Sequence, residues 1–121
     1  MSSQYVNDAC LPYPTLSCSP MGYPEYVINA TTPSHVKLGI EFARKHNLRL
    51  VIKSTGHDFL GRSTAPNSLS VWTHNMDSIK SHNDDFQPRG CGIKVKGSAV
   101  TLGAGVEMQD AFTHLGVSTK P

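Results

Sequence analysis

The alternation of apolar and polar residues becomes regular near residue 26. Tyr26–Ala30 is rich in aromatic and β-branched residues and predicts a short strand. Thr32-Pro33 predicts a helix start, because a threonine hydroxyl can cap the helix and the fixed φ of proline suits its first position. Asn47 predicts a left-handed residue at the helix end. Within this helix, apolar positions recur at helical spacing, at Val36, Gly39, Ile40 and Ala43.

A second strand follows the helix at once. In Leu48–Lys53, the apolar residues Leu48, Leu50 and Ile52 alternate with their neighbours. Strand, helix and strand within about 28 residues predict a βαβ unit with parallel strands and a right-handed crossover. Further strands are predicted at Ser68–Trp72 and Ala99–Leu102, a polar, exposed excursion over residues 80–94, and a helix from Glu107 to Leu115.

Composition and charge indicate a globular protein and give no sign of a nucleic-acid or membrane partner. The chain has 121 residues, of which 38% are apolar, with 10 glycines and 8 prolines, as in a globular protein with many turns. The net charge is +2 and the basic residues are scattered, so no basic stripe predicts a nucleic-acid partner. No run approaches the roughly 18 apolar residues of a membrane span, so no membrane partner is predicted. Met1–Cys10 lacks the apolar run of a signal peptide, and localisation stays open.

Residues 1–24 predict an irregular, proline-rich N-terminal arm ahead of a domain over residues 25–121. Cys10 and Cys18 lie in this arm and form a candidate disulfide of the kind made in oxidising compartments. Asn29-Ala30-Thr31 is a glycosylation sequon, which makes Asn29 a candidate acceptor.

The segment Ser54-Thr55-Gly56-His57-Asp58 carries the sharpest chemical signal. Successive backbone N–H groups in such a turn can form a concave anion site that suits a pyrophosphate, and glycine allows a ligand to approach closely. A plain turn is the alternative interpretation. Gly103-x-Gly105 lacks the third glycine of a dinucleotide fingerprint, since Met108 stands there. The six histidines form no ligand pair with metal-site spacing, so no metal is predicted.

Residues 47–63, which include Gly56-His57-Asp58 and Gly61-Arg62-Ser63, resemble the flavin-attachment segment of the vanillyl-alcohol oxidase family. The resemblance is strongest to the fungal FAD-linked oxidoreductases related to the berberine bridge enzyme. Residues 23–31, 69–74 and 99–106 also resemble segments of that family in the same order. Together the resemblance covers about residues 18–115.

The resemblance implies FAD as cofactor and an α+β fold, the first and incomplete part of a PCMH-type FAD-binding domain. His57 would bond through its imidazole to the 8α carbon of the flavin. Residues Ser54, Thr55, Gly56 and Asp58 would surround the pyrophosphate with it, and Gly103 and Gly105 would lie close to the flavin.

The family reaction is flavin-dependent oxidation of a small organic molecule, alkaloids among the candidates, with oxygen as acceptor. The family's substrate domain, which carries the catalytic base, has no counterpart in these residues, so no catalytic residue is named and a small-molecule partner requires that domain. We expect the chain alone to be inactive. Members are often secreted or vesicular. The alternatives are a natural truncation product without activity and a small nucleotide-binding module that does not use flavin.

Overall fold

The computed structural model describes residues 21–116. The chain divides into two compact units, Met1–Asn75 and Met76–Pro121. Cys10 and Cys18, the candidate disulfide, lie outside the described residues, and the predicted division into an arm and a domain stays a prediction. The first unit contains β1 (Tyr26–Asn29), α1 (Pro33–Lys45), β2 (Arg49–Lys53) and β3 (Ser68–Trp72). The second contains β4 (Ile79–His82), β5 (Ala99–Leu102) and α2 (Met108–His114).

Helix α1 begins and ends at the residues that the sequence indicates. The Thr32 hydroxyl accepts a hydrogen bond from the His35 N–H at 3.3 Å, and Pro33 occupies the first turn. At the other end Asn47 has a φ of 51°, and the Leu48 N–H donates to the Ala43 carbonyl at 2.9 Å. The predicted cap and the predicted left-handed end are both confirmed.

The first unit contains a three-stranded parallel sheet in the order β1-β3-β2. Ile28 of β1 and Ile52 of β2 both pair with Val71 of β3. The two strands of the predicted βαβ unit are therefore parallel, as expected, but β3 lies between them. Residues Ser68 to Val71 are all buried, which suits the central strand of a sheet covered on both faces.

Helix α1 packs on the sheet face that carries Ile28 and Val71. A Cβ added at Gly39 would lie 2.9 Å from Ile28 Cδ1 and 3.1 Å from Val71 Cγ2, so the missing side chain lets the helix approach. Ala43, one turn further on, is also buried. Ile52 lies in register with Val71 but on an edge strand, where 56% of it is exposed. The alternation in β2 thus identified the strand but not the burial of its apolar residues.

The second unit is built on an antiparallel hairpin in which β4 pairs with β5 from Ile79↔Leu102 to His82↔Ala99. The predicted excursion over residues 80–94 is therefore partly wrong, because residues 80–82 belong to β4 and Phe86 forms a bridge with Val95. Exposed Lys80 and Ser81 show why the pattern missed this strand. A hairpin needs only backbone groups for its ladder, so an exposed strand can be polar.

Helix α2 follows the hairpin and buries Ala111, while Met108 is 69% exposed. Neither α1 nor α2, the helices within residues 21–116, has the length and apolar character needed to cross a membrane. Over the same residues, no group of three or more His, Cys, Asp or Glu side chains is placed to hold a metal ion.

Candidate functional site

The predicted loop 54–58 lies at the carboxyl edge of the parallel sheet. It follows β2 directly, while residues 30–32 follow β1 and residues 73–75 follow β3. Because the three strands are parallel, these segments share one edge, and ligands of open α/β sheets bind at such an edge. Helix α1 begins there too, so its N–H groups and the positive end of its dipole face the same side.

Residues 55–57 of the loop have backbone N–H donors without hydrogen-bond partners among residues 21–116. Gly56 has a φ of 91°, a left-handed conformation that glycine adopts without strain. The N–H groups of Thr55, Gly56 and His57 have no hydrogen-bond partner among residues 21–116. His57 itself is exposed. Three consecutive amide donors on a turn with one left-handed residue can bind an anion such as a pyrophosphate.

Asp58 closes the loop through Arg62 rather than presenting its carboxylate to a ligand. Its Oδ2 accepts the Arg62 backbone N–H at 2.7 Å, and its Oδ1 accepts the Arg62 Nε–H at 3.0 Å and an Nη2–H. These side-chain and backbone hydrogen bonds from Arg62 hold the pKa of Asp58 below its usual value. The hydrogen bond to the Asp58 carboxylate in turn raises the pKa of Arg62. We therefore assign Asp58 to shaping the loop, where its charge keeps Arg62 in place.

Arg62 was not predicted from the sequence as the partner of Asp58. The signal was present as an acidic and a basic residue four positions apart, with Gly61 between them. Gly61 has a φ of 72°, and its N–H donates to the Asp58 carbonyl at 3.2 Å. This tight turn brings the guanidinium back onto the carboxylate. The two halves of the motif, Gly-His-Asp and Gly-Arg-Ser, thus form one local structure.

Gly103 and Gly105 belong to the second unit, where they extend the β4–β5 hairpin. The Gly103 N–H donates to the Ser78 carbonyl at 2.8 Å, and the Gly105 N–H donates to the Met76 carbonyl at 2.9 Å. A Cβ at Gly103 would overlap the Met76 carbonyl. The hairpin alone therefore requires glycine at this position. The prediction that these two glycines approach the flavin stays a prediction.

One other predicted modification site, Asn29, has defined surroundings. Asn29 is exposed at the end of β1, and its Oδ1 accepts a hydrogen bond from Asn75 Nδ2 at 2.7 Å. Glycosylation there stays a prediction. Cys91 is a half-buried free thiol in the second unit.

An apolar groove of about 550 Å³ lies at the other end of the first unit, where the strands begin. Tyr26, Phe42 and Leu48 line it, with 76%, 51% and 42% of each residue exposed. No predicted site residue borders this groove, and its lining offers aromatic and aliphatic surface rather than phosphate donors. The sequence pattern did not single it out.

Comparison with known proteins identifies similarity to flavoproteins over most of the chain. A family described as FAD binding domain matches residues 24–119. The VAO-type flavoprotein oxidase VAO615 of Thermothelomyces thermophilus is 42% identical over 114 residues, which cover 93% of this chain and 19% of that protein. Aurantioclavine synthase of Penicillium expansum is 52% identical over 81 residues, covering 67% of this chain and 17% of the synthase.

The fold is also similar to that of a solved flavoprotein. The crystal structure of VAO-type flavoprotein MtVAO615 from Myceliophthora thermophila superposes with a TM-score of 0.81 at 40% identity. That match covers 96% of this chain and 21% of the flavoprotein. The chain thus spans about a fifth of the length of the relatives it matches.

Proposed function

Because the chain belongs to the FAD binding domain family and is related to fungal VAO-type flavoproteins, we propose that its loop 54–57 binds the pyrophosphate of FAD. The family, the α+β fold and FAD as the family's cofactor are confirmed predictions. One observation carries the proposal. The backbone N–H groups of Thr55, Gly56 and His57 have no partner among residues 21–116 and lie at the carboxyl edge of a parallel sheet. Open α/β sheets bind nucleotides at this edge.

The residues present fit the phosphate end of FAD. Backbone amides donate hydrogen bonds to a diphosphate without the entropy loss of ordering long side chains, and a left-handed residue such as Gly56 is typical of turns whose N–H groups bind an anion. Hydrogen bonds from Arg62 to the Asp58 carboxylate stabilise the conformation of the turn that follows residues 55–57. When bound, FAD supplies the two-electron acceptor of an oxidoreductase.

His57 is the residue that we propose for covalent attachment to the 8α carbon of the flavin. It lies in the loop, is exposed, and its ring makes no hydrogen bond with residues 21–116. A neutral imidazole has a nitrogen lone pair available for such a bond. Asp58 follows it directly but is occupied by Arg62, so the imidazole is not held by its neighbour's carboxylate.

For the whole protein we propose oxidation of a small organic substrate with oxygen as the acceptor. This proposal is supported by one relative that is named a VAO-type flavoprotein oxidase and by another that is named a synthase. The resemblance to fungal FAD-linked oxidoreductases keeps alkaloids among the proposed substrate classes. The substrate is thus the small-molecule partner that we propose. No residue is assigned as the catalytic base.

The test is binding of FAD, ADP and riboflavin to the 121-residue chain, followed by flavin fluorescence. We expect FAD and ADP to bind and to compete, and riboflavin to bind much more weakly because it has no phosphate. Equal affinity for FAD and riboflavin would contradict a phosphate-binding loop. Binding of ADP without any gain from the flavin half would instead favour the small nucleotide-binding module.

Covalent attachment is tested with His57→Ala in the enzyme that contains this segment. We expect the flavin fluorescence of the denatured protein band to disappear in the variant, while non-covalent FAD stays bound to the native protein. His114→Ala is the matched control, because His114 is also exposed but lies on α2 of the second unit. A band as bright in His57→Ala as in the unmodified protein would exclude His57 as the attachment point.

A further inference from the structure

Trp72 and Thr73, at the end of β3 and just after it, donate hydrogen bonds to backbone carbonyls at the start of loop 54–57. The Thr73 N–H donates to the Lys53 carbonyl at 2.8 Å, and its hydroxyl donates to the same oxygen at 3.4 Å. The Trp72 indole N–H donates to the Ser54 carbonyl at 2.9 Å. The carbonyls of Lys53 and Ser54 are therefore both bound, by Thr73 just after the central strand and by Trp72 at its end.

The Trp72 ring is itself fixed in place. The Lys53 ammonium lies 5.4 Å from the centre of the ring, within the range of a cation–π contact. The His74 ring stacks on it at 5.6 Å with an interplanar angle of 9°. The backbone carbonyl of Trp72 accepts the Ala30 N–H at 2.9 Å, which ties the residue to β1 as well. A ring between Lys53 of the neighbouring strand and His74, two residues further along the chain, has little freedom to turn.

Because a trans peptide is planar, the hydrogen bond from Trp72 to the Ser54 carbonyl also fixes the direction of the next N–H group, that of Thr55. The C=O of Ser54 and the N–H of Thr55 belong to one planar peptide and point in opposite directions. The described residues contain no cis peptide. Because the indole holds the Ser54 carbonyl, it also sets the direction of the Thr55 N–H, the first of the amides of residues 55–57.

We infer that Trp72 is a positioning residue for the cofactor: its indole N–H directs the amides of loop 54–57 toward the phosphates of FAD. This inference rests on the proposed function. Among aromatic side chains, only tryptophan combines this large ring with an N–H donor, so phenylalanine could fill much of the space but could not hold the carbonyl.

The test uses the fact that Trp72 is the only tryptophan in the chain. Global replacement of tryptophan by benzothienylalanine exchanges one N–H for sulfur and preserves the ring shape. We expect the affinity for FAD to fall about fivefold, the effect of one lost hydrogen bond, and the affinity for riboflavin to stay the same. Trp72→Phe should show the same selective loss. Thr113→Val is the control, since it removes a comparable side-chain bond, from the Thr113 hydroxyl to the Gln109 carbonyl at 2.8 Å on α2, and should bind FAD within about twofold of the unmodified chain.

A second measurement needs no cofactor. Relaxation of the backbone ¹⁵N nuclei should show greater motion of Thr55 and Gly56 in the benzothienylalanine protein, with residues of α1 unchanged. If the unmodified chain binds no FAD, the proposed function fails, and the orientation by Trp72 is judged on this motion alone. Unchanged FAD affinity together with unchanged motion would overturn the inference. An equal loss for FAD and riboflavin would also overturn it, because that pattern indicates general destabilisation.

Discussion

Two glycine-containing segments of this chain, residues 54–57 and 103–105, differ in how their backbone N–H groups are used. In loop 54–57 of the first unit, Gly56 is left-handed and the surrounding N–H groups have no partner among residues 21–116. In the second unit, the N–H groups of Gly103 and Gly105 already donate to carbonyls of their own hairpin. A glycine segment can bind an anion only with donors that the fold has not already used. Hydrogen bonding, rather than glycine content, therefore separates the two.

The largest loss of stability is expected from a substitution at Gly103, whose N–H is used within the hairpin. Gly103→Ala would place a Cβ against the Met76 carbonyl, a backbone atom that cannot rotate away, so the hairpin must shift. We expect the free energy of unfolding to fall by about 2–3 kcal/mol, measured by urea denaturation. Gly92→Ala is the control, because nothing lies within 4 Å of the added Cβ. Equal stability of the two variants would show that the hairpin does not require glycine at residue 103.

The next effect is expected at Gly56. Gly56→Ala imposes a side chain on a φ of 91° and should lower the free energy of unfolding by about 1–2 kcal/mol. It should also weaken FAD binding about tenfold or more, because relief of the strain turns the neighbouring amides away. The matched variant is Gly90→Ala, which has a φ of 77° and open space around the added Cβ. It should share the loss of stability and keep the affinity for FAD, measured by fluorescence titration. An unaltered affinity in Gly56→Ala would place the phosphate site elsewhere.

A smaller effect is expected from pH at the Asp58–Arg62 pair. Hydrogen bonds from Arg62 lower the pKa of Asp58 in the folded protein. A carboxylate with a lowered pKa contributes stability that is fully present above its unfolded pKa of about 3.9, and that is lost as pH falls through the lower folded value. We expect loop order, followed by the amide signals of Gly61 and Arg62, to decline below about pH 4. Asp58→Asn should remove this dependence. A decline in Asp58→Asn that matches the unmodified chain would assign the titration to another group.

Local signals were sufficient for much of the first unit. The threonine cap, Pro33 and the left-handed Asn47 act within one or two turns of α1, so their effect could be read directly from neighbouring residues. The loop 54–58 was also predictable, because a strand that ends in Ser-Thr-Gly must turn there. Arg62 was missed because its partner depends on the fold of the turn between them. Strand β4 was missed because its exposed residues carry no apolar alternation.

The family and most of the local elements could be predicted from the residues alone, since caps, turns and the Gly-His-Asp and Gly-Arg-Ser motifs depend on adjacent residues. The tertiary structure sets which strand lies in the centre, because β3 must pair with both β1 and β2 at a distance along the chain. It also decided which backbone donors are used within the fold and which remain for a ligand. Hydrogen bonds between distant segments, such as that from Trp72 to Ser54, have no signature in residue spacing. They arise when the sheet brings the two segments together.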